Sequence, residues 1–533
     1  MSSEFNVNSN KRPMFILITT LLLFATALTL ALLRFLRPEF RFAWLLAVGL
    51  VSLALVSVLL WLPQLPITLT MPSWQVANLF SASPSLLADG LSWPYALSLV
   101  ILAIAILLTA SAREGFPDPI GWAVSLILCG LGLLAVTANN PLTLVLVWAA
   151  VDLTEVVIML WSVNGRVPNE RTVIAFSLRA AGIVLVLMAQ VLGSVQGKTI
   201  DFVSLPPQAG LLLIVAAGLR LGVLPVHLPY SSESPLRRGL GTMLRLVSAA
   251  SSLVLLSHIH AASLSFPLTP ILSILTCVAA VYGGWMWLRA PDEISGRSYW
   301  IIGLGSLAVA SALRGNPAGA TAWGVALILA GGALFLASVQ QIWLNRVLLI
   351  TVWTISSLPF SLTAAGWQNN SGSFDFTLPV FIVAQAFLIA GLVRHALRPS
   401  LRAPLETQPV WAKRVYPAGI GILLFVQLLL GFWGWDGAFQ IGVLVPGIAA
   451  SLLSLGLLWA IPRFPVLNPV PAHWLQPSST SRLDQLYQIL WGGYRWLGNI
   501  SQTISQILEG EGGIMWVLLF LILFVSLIVQ RKP

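Results

Sequence analysis

The chain has 533 residues, of which 57% are hydrophobic and only 9% are Asp, Glu, Lys or Arg. A water-soluble domain carries about 25% charged residues, so this composition excludes one, and its repeated apolar stretches of about 20 residues are each long enough to cross a bilayer as a helix. The net charge of +10 would suggest a nucleic-acid partner in a soluble protein; here the basic residues serve orientation, and no nucleic-acid partner is expected.

The first twelve residues are polar, and no small-residue cleavage site follows the first apolar run. The run from Pro13 to Phe35 therefore reads as a retained helix. Helices are predicted over 13–36, 42–63, 93–112, 119–138, 141–162, 172–194, 208–230, 239–261, 267–288, 299–315, 318–341, 346–367, 376–396, 415–434, 439–461 and 513–530. This is an all-α integral membrane protein of about sixteen helices, surrounded by the lipid bilayer. The short alternating strands of a barrel are not seen.

Three connections are long. Residues 64–92 are rich in Pro and Ser and are expected to lie along the membrane face. Residues 397–414 are basic. The third, 462–512, opens with Pro462, Pro465, Pro469, Pro471 and Pro477, which exclude a continuous helix. Leu486, Ile489, Leu490, Tyr494, Leu497, Ile500 and Ile504 then recur at helical spacing over 482–508. An amphipathic helix there lies on the membrane surface or on a partner; the alternative is a connector packed on the bundle ends.

Of the 28 Lys and Arg residues, about 19 fall in the odd-numbered connections and 6 in the even ones and the termini. By the positive-inside rule the odd connections are cytoplasmic and both termini face away from the cytoplasm. Arg179, Arg220 and Arg245 remain, inside apolar segments, together with Asp152 and Glu155. The later helices carry no charge at depth. Charges at membrane depth are costly and either pair or line a polar cavity. These five either pin helices together or belong to an ion path.

The seventh segment reads Gly218-Leu-Arg-Leu-Gly-Val-Leu-Pro-Val-His-Leu-Pro229. Pro225 removes a backbone donor and Gly222 adds freedom, so a break is predicted beside Arg220 and His227. A similar break is predicted five helices later, at Ser356-Ser-Leu-Pro-Phe-Ser-Leu-Thr-Ala-Ala-Gly366, around Pro359. Interrupted helices at corresponding places in two halves point to an inverted-repeat transporter. His227 either functions by its position in this motif or hydrogen-bonds the loosened backbone. His258 and His260 are expected near the membrane interface. Cys129 and Cys277 read as buried thiols. No metal or cofactor motif is present, and none is expected.

At this point the chain resembles the antiporter-like membrane subunits of respiratory complex I (NADH:quinone oxidoreductase) and of Mrp-type cation/proton antiporters. The matching segments are Asp89-Gly-Leu-Ser92, Asn139-Asn-Pro-Leu-Thr-Leu-Val-Leu-Val-Trp148, Arg220 to Pro229, Asp292 with Tyr299, and Leu358-Pro359 with Gly366. The resemblance covers most of the chain. It implies three N-terminal helices (1–118), a first inverted five-helix repeat (119–261), a second (267–396), and C-terminal helices with a short lateral segment (415–533). It also implies partners: other membrane subunits of a multisubunit complex, in a bacterial cytoplasmic membrane. No catalytic site of its own is expected, although the assembly could be an NADH:quinone oxidoreductase-like translocase.

The departures bear on function. The resemblance implies a Glu where this chain has Ala149, a Lys at Arg220, a His or Lys at Arg245, a central Lys at Gly331 and a Lys near Asn370. A buried Lys can lose its proton, whereas Arg stays charged. The second half therefore reads as ionically silent unless a water chain suffices. In the first half, Asp152 lies one turn after Ala149 and Glu155 one turn further. The expectation is an Asp152–Arg220 ion pair near mid-membrane, with Glu155 and Arg245 as further members; the alternative is that Arg179 takes one of the acids. The functional candidates are an antiporter-like subunit conducting through the first repeat only, a scaffold without transport, and a stand-alone antiporter.

Overall fold

The computed structural model describes residues 14–37, 40, 42–71, 83–112, 118–162, 166–195, 202, 206–229, 238–260, 264, 268–339, 341–370, 375–398, 405–434, 441–464 and 469, without the side chains of 14, 161–162, 166–171, 194–195, 207–208 and 441–442. The predicted lateral segment 482–508 and last helix 513–530 lie outside these residues.

Among the described residues the chain is helical almost throughout. The helices are α1 (Met14–Leu36), α2 (Ala43–Trp61), α3 (Trp93–Thr109), α4 (Pro119–Val136), α5 (Pro141–Ser162), α6 (Arg166–Val195), α7 (Pro207–Leu221) and α8 (Arg238–Leu256). They continue with α9 (Thr269–Arg289), α10 (Arg297–Leu313), α11 (Pro317–Leu336), α12 (Ile342–Val347), α13 (Ile350–Thr354), α14 (Leu378–Leu397), α15 (Val410–Trp433) and α16 (Ile441–Ala460). Twelve described helices are long and apolar enough to cross a membrane. All fifteen segments predicted up to residue 461 are present. Pro at or next to the first position opens α3, α4, α7, α9, α11 and α14, where its missing N–H has no intrahelical partner to lose and its fixed φ suits the helix.

Two segments depart from unbroken helices, as their sequences predicted. The seventh stops at Leu221, and Gly222 follows at φ +75°, a left-handed conformation that glycine adopts without steric cost. The twelfth is reduced to α12 and α13, after which the chain turns through Ser356–Gly366. Residues 64–92 hold something the sequence reading did not foresee: β1 (Ile67–Thr70) pairs antiparallel with β2 (Ser85–Ala88), Ile67 opposite Ala88. The stretch is short, and one of its strands is fully buried, so the alternation that betrays a strand is visible in β1 alone.

The bundle centre is built from α3, α8 and α11, which are almost wholly buried, whereas α2, α6 and α16 keep most of their surface outward. In lipid such outward apolar surface needs no cover. Trp61, Trp148, Trp287, Trp300 and Trp323 lie fully buried. The pair Gly283-Gly284 allows close helix approach: a Cβ on Gly283 would stand 2.6 Å from the Gly303 amide, and one on Gly284 2.8 Å from the Ala384 carbonyl. Both cysteines are free and buried.

Three ion pairs lie at helix ends, Arg34–Asp118 at 3.0 Å, Arg238–Glu293 at 2.9 Å and Arg314–Asp375 at 2.6 Å, and His258 faces Asp89 at 3.7 Å. Each joins two connections of the same parity, as an up-and-down chain requires.

Candidate functional site: a buried ionic ladder

Ion pairs between five buried side chains gather in one place. Asp152 and Glu155 are three residues apart on α5 and share a face. Opposite them stand Arg179 on α6, Arg220 in the last turn of α7 and Arg245 on α8. All five side chains are at most 3% exposed.

Arg220 grips Asp152 with both ends of its guanidinium, Nη1 to Oδ2 at 2.6 Å and Nη2 to Oδ1 at 2.9 Å. This fork-to-fork geometry is the strongest form of a charged hydrogen bond. Nη1 also donates to the Arg179 carbonyl at 3.2 Å, and Nε to Ser252 Oγ at 3.3 Å. The guanidinium carbon sits 4.2 Å from the ring centroid of Trp148, a cation–π contact. The Trp148 indole is itself fixed by donating to the Ser251 carbonyl at 3.1 Å.

Glu155 divides its oxygens between two arginines: Arg179 Nη1 donates to Oε2 and Arg245 Nη1 to Oε1. Arg179 closes the gap, with Nη1 3.7 Å from Asp152 Oδ1 and a further hydrogen bond to Ser248 Oγ at 3.3 Å. The order is Arg220, Asp152, Arg179, Glu155, Arg245, with alternating sign. Both expectations for the acids hold: Asp152 pairs with Arg220, and Arg179 joins as well. With two acids on adjacent turns, neither alternative excludes the other.

The helix break positions the first rung. Gly222 leaves the helix in a conformation that lets the Val223 amide bond the Gly218 carbonyl at 2.7 Å and the His227 amide the Gly222 carbonyl at 3.1 Å. Arg220 is thus held at the edge of a closed-off terminus. The His227 Nδ1 lies 2.8 Å from the Pro225 carbonyl. One ring nitrogen of His227 thus meets the loosened backbone, while its buried Nε2 has no hydrogen-bond partner among the described residues.

Residues that the sequence reading did not single out complete the site. Gly182, one turn beyond Arg179, faces Arg220: a Cβ there would lie 2.8 Å from the Arg220 Cγ and 3.2 Å from the Ala216 carbonyl. Gly182→Ala is expected to shift the Arg220 stem and cost about 1–3 kcal/mol, the usual range for overpacking. Thermal unfolding of the purified chain would read this, and an unchanged melting point would count against the tight fit. Ser248 and Ser252, three and seven residues after Arg245, carry the helical spacing that could have flagged them.

In the first half Ala149 is half-buried, one turn before Asp152. The second half is different. Gly331 sits against an aromatic wall, where a Cβ would be 2.7 Å from Trp300 Nε1 and 3.1 Å from Phe335 Cε2. Trp287, Trp300 and Phe335 pack together with centroids 5.1–6.5 Å apart, and the buried His395 lies 4.3 Å from Trp287. Asn370 is exposed and donates to the Gly315 carbonyl at 3.2 Å. The break around Pro359 is lined by neutral groups. Gln385 Nε2 donates to the Ile355 carbonyl at 2.8 Å, Thr363 Oγ1 to the Thr354 carbonyl at 3.0 Å, and Thr354 Oγ1 to Gln427 Oε1 at 2.7 Å. Buried charges of this half, Glu293, Arg297 and Arg314, stand at helix ends.

No family model matches the sequence, and no curated protein matches it. Solved structures do. A chain of the Mrp complex from Dietzia sp. DQ12-45-1b superposes over 97% of this chain with a TM-score of 0.67 and 15% identity. This chain spans 63% of that one. A chain of the membrane-bound sulfane sulfur reductase, an archaeal respiratory membrane complex, matches over 95% of this chain and 99% of its own, with a TM-score of 0.65 and 15% identity. A chain of respiratory complex I from Thermus thermophilus matches over 82% and 99%, with a TM-score of 0.59 and 17% identity. The chain therefore has the fold of membrane chains from Mrp and complex I assemblies, the fold that its sequence resemblance implied.

Proposed function

We propose that this chain is a divergent antiporter-like subunit in the membrane arm of a complex I-like, ion-translocating assembly, with ion movement confined to its first repeat. In this reading 119–261 and 267–396 are the two inverted repeats, flanked by 1–118 and 415–533. The membrane is a bacterial cytoplasmic one, with the Lys- and Arg-rich odd connections on the cytoplasmic side. The observation that carries the reading is the contrast between the halves. The first keeps a five-member ladder of buried charge; the second has Trp300 and Phe335 packed against Gly331, where the resemblance implies a central lysine.

Within the ladder the titratable members are Asp152 and Glu155, because arginine stays protonated. Both carboxylates are held on both oxygens, Asp152 by the fork of one arginine and Glu155 by two separate arginines. One partner of Glu155 can part while the other holds, so Glu155 is the group that an incoming cation or proton can most readily engage. In the assembly reconstituted into vesicles, Glu155→Gln is expected to lower ion flux by about tenfold or more, the equivalent of about 1.4 kcal/mol on the barrier, while Trp300→Phe leaves it unchanged. A flux that falls with Trp300→Phe would sink the one-repeat reading. Purification of the tagged chain from its own membrane should yield other membrane subunits with it; migration alone would favour a stand-alone antiporter.

One observation favours a second reading, a scaffold without transport. The Arg220 guanidinium is filled by Asp152, Ser252, the Arg179 carbonyl and Trp148, an arrangement suited to pinning α5, α6, α7 and α8 together. A wild-type flux in Glu155→Gln, with the assembly intact, would establish it.

A further inference from the structure

Helix α8 carries more than its rung of the ladder. Thr242, Arg245, Ser248 and Ser252, spaced by three, three and four residues, form one buried stripe. At one end Arg238 pairs with Glu293 at 2.9 Å, and Arg297 Nη2 donates to Thr242 Oγ1 at 3.4 Å. In the middle Ser248 accepts from Arg179 and Ser252 from Arg220, both at 3.3 Å. Beyond the last turn, Ser257 Oγ lies 3.3 Å from the Tyr95 hydroxyl, and His258 Nε2 lies 3.7 Å from Asp89 Oδ2. The 20 steps from Arg238 to His258 span about 30 Å at 1.5 Å per residue, close to the thickness of the hydrocarbon core.

The far end has the chemistry of a proton-binding pair. His258 Nδ1 is 2.9 Å from the Val254 carbonyl, which places a proton on that nitrogen, since a carbonyl only accepts. Nε2 is then the basic nitrogen, and it faces a carboxylate. Asp89 Oδ1 is occupied by the amides of Leu91 and Ser92 at 3.0 and 2.7 Å, which leaves Oδ2 for His258. Burial works to raise the Asp89 carboxyl, but the His258 contact and the bonds from Ser92 outweigh it and hold the group at about 2. The other titratable groups there, among the described residues, are Tyr95 and His260, whose Nδ1 lies 3.0 Å from the His258 carbonyl. The ring of Phe202 covers His258 at 6.0 Å.

We propose that the Asp89–His258 pair is a proton-binding site at the end of a polar stripe along α8, through which the first repeat exchanges protons with the face where Asp89 lies. The site takes a proton from water on His258 Nε2, with the Asp89 carboxylate as its counter-charge, and returns the proton from that atom to water, with no other reactant. This rests on the reading of the first repeat as the ion-carrying half, and it makes the second repeat unnecessary for reaching that face.

The test uses the assembly in vesicles and the pH profile of proton flux. Asp89→Asn and His258→Gln are each expected to displace the acid limb of the profile by about one pH unit, since about 1.4 kcal/mol separates the two protonation states per unit. Glu155→Gln is expected to lower the plateau without moving the limb. If the plateau falls in Glu155→Gln and neither Asp89→Asn nor His258→Gln moves the limb, the α8 inference is overturned and the first-repeat reading survives. If Glu155→Gln changes nothing, the first-repeat reading itself fails. A readout independent of flux is the carboxyl titration of Asp89 followed by carbon-13 NMR of labelled assembly: in His258→Gln it should rise from about 2 toward the ordinary carboxylate range. A titration that stays put would overturn the pair.

Discussion

Asp152→Ala should destabilise the folded chain by about 3–5 kcal/mol, and Arg220→Ala by a similar amount, because each leaves the partner's charge buried without its counter-ion. The double replacement Asp152→Leu with Arg220→Met should recover most of the loss. An ion pair taken out of water gains little over an apolar pair of the same volume; what is costly is one charge left alone at membrane depth. Arg220→Lys should not be a mild change. A lysine keeps the charge but gives up the fork on Asp152 and the flat stack on Trp148. The measurement is unfolding in lipid nanodiscs, arranged as a double-mutant cycle. If the two single losses simply add in the double variant, Asp152 and Arg220 are not coupled, and the ladder is not the unit described above.

That cycle targets a contact between residues 68 apart in the chain, and its legibility in the sequence has a physical reason. A chain with so few charges offers few partners at membrane depth, and a buried acid must find one. The breaks were legible for a related reason: Gly222 and Pro225, and later Pro359, act on the backbone locally, so their effect does not depend on what packs against them. The helices themselves follow from apolar length alone. What stayed hidden is what depends on shape across helices. Gly182 looks like any glycine of an apolar helix until the Arg220 stem is seen against it. Trp300 and Gly331 lie 31 positions apart, and nothing in either segment says that the indole stands where a longer side chain would need to go. His395, buried against Trp287, escaped notice because it stands near the end of its helix among basic residues that read as a solvated connection. The two short strands escaped because four residues are too few for a period of two to stand out.

Glu155→Ala should be worse than any other single change in the ladder, at or above the top of the range of about 3–5 kcal/mol for a broken buried pair. One carboxylate there serves two arginines, Arg179 and Arg245. Its loss leaves two like charges facing the space it filled, with Asp152 at 3.7 Å as the nearest acid to Arg179 and already committed to Arg220. Glu155→Gln keeps the shape and one acceptor oxygen, so its loss should fall between wild type and Glu155→Ala. Adding Arg245→Met to Glu155→Ala removes one of the two stranded charges and should restore part of the stability. The same variants separate the two functional readings. If the ladder only pins helices, ion flux through the assembly should follow stability across the series, and the partly rescued double variant should conduct like wild type once folded. If Glu155 itself handles the ion, flux should stay low in the double variant although the fold has returned. A double variant that is both stable and fully conducting would remove Glu155 from the path.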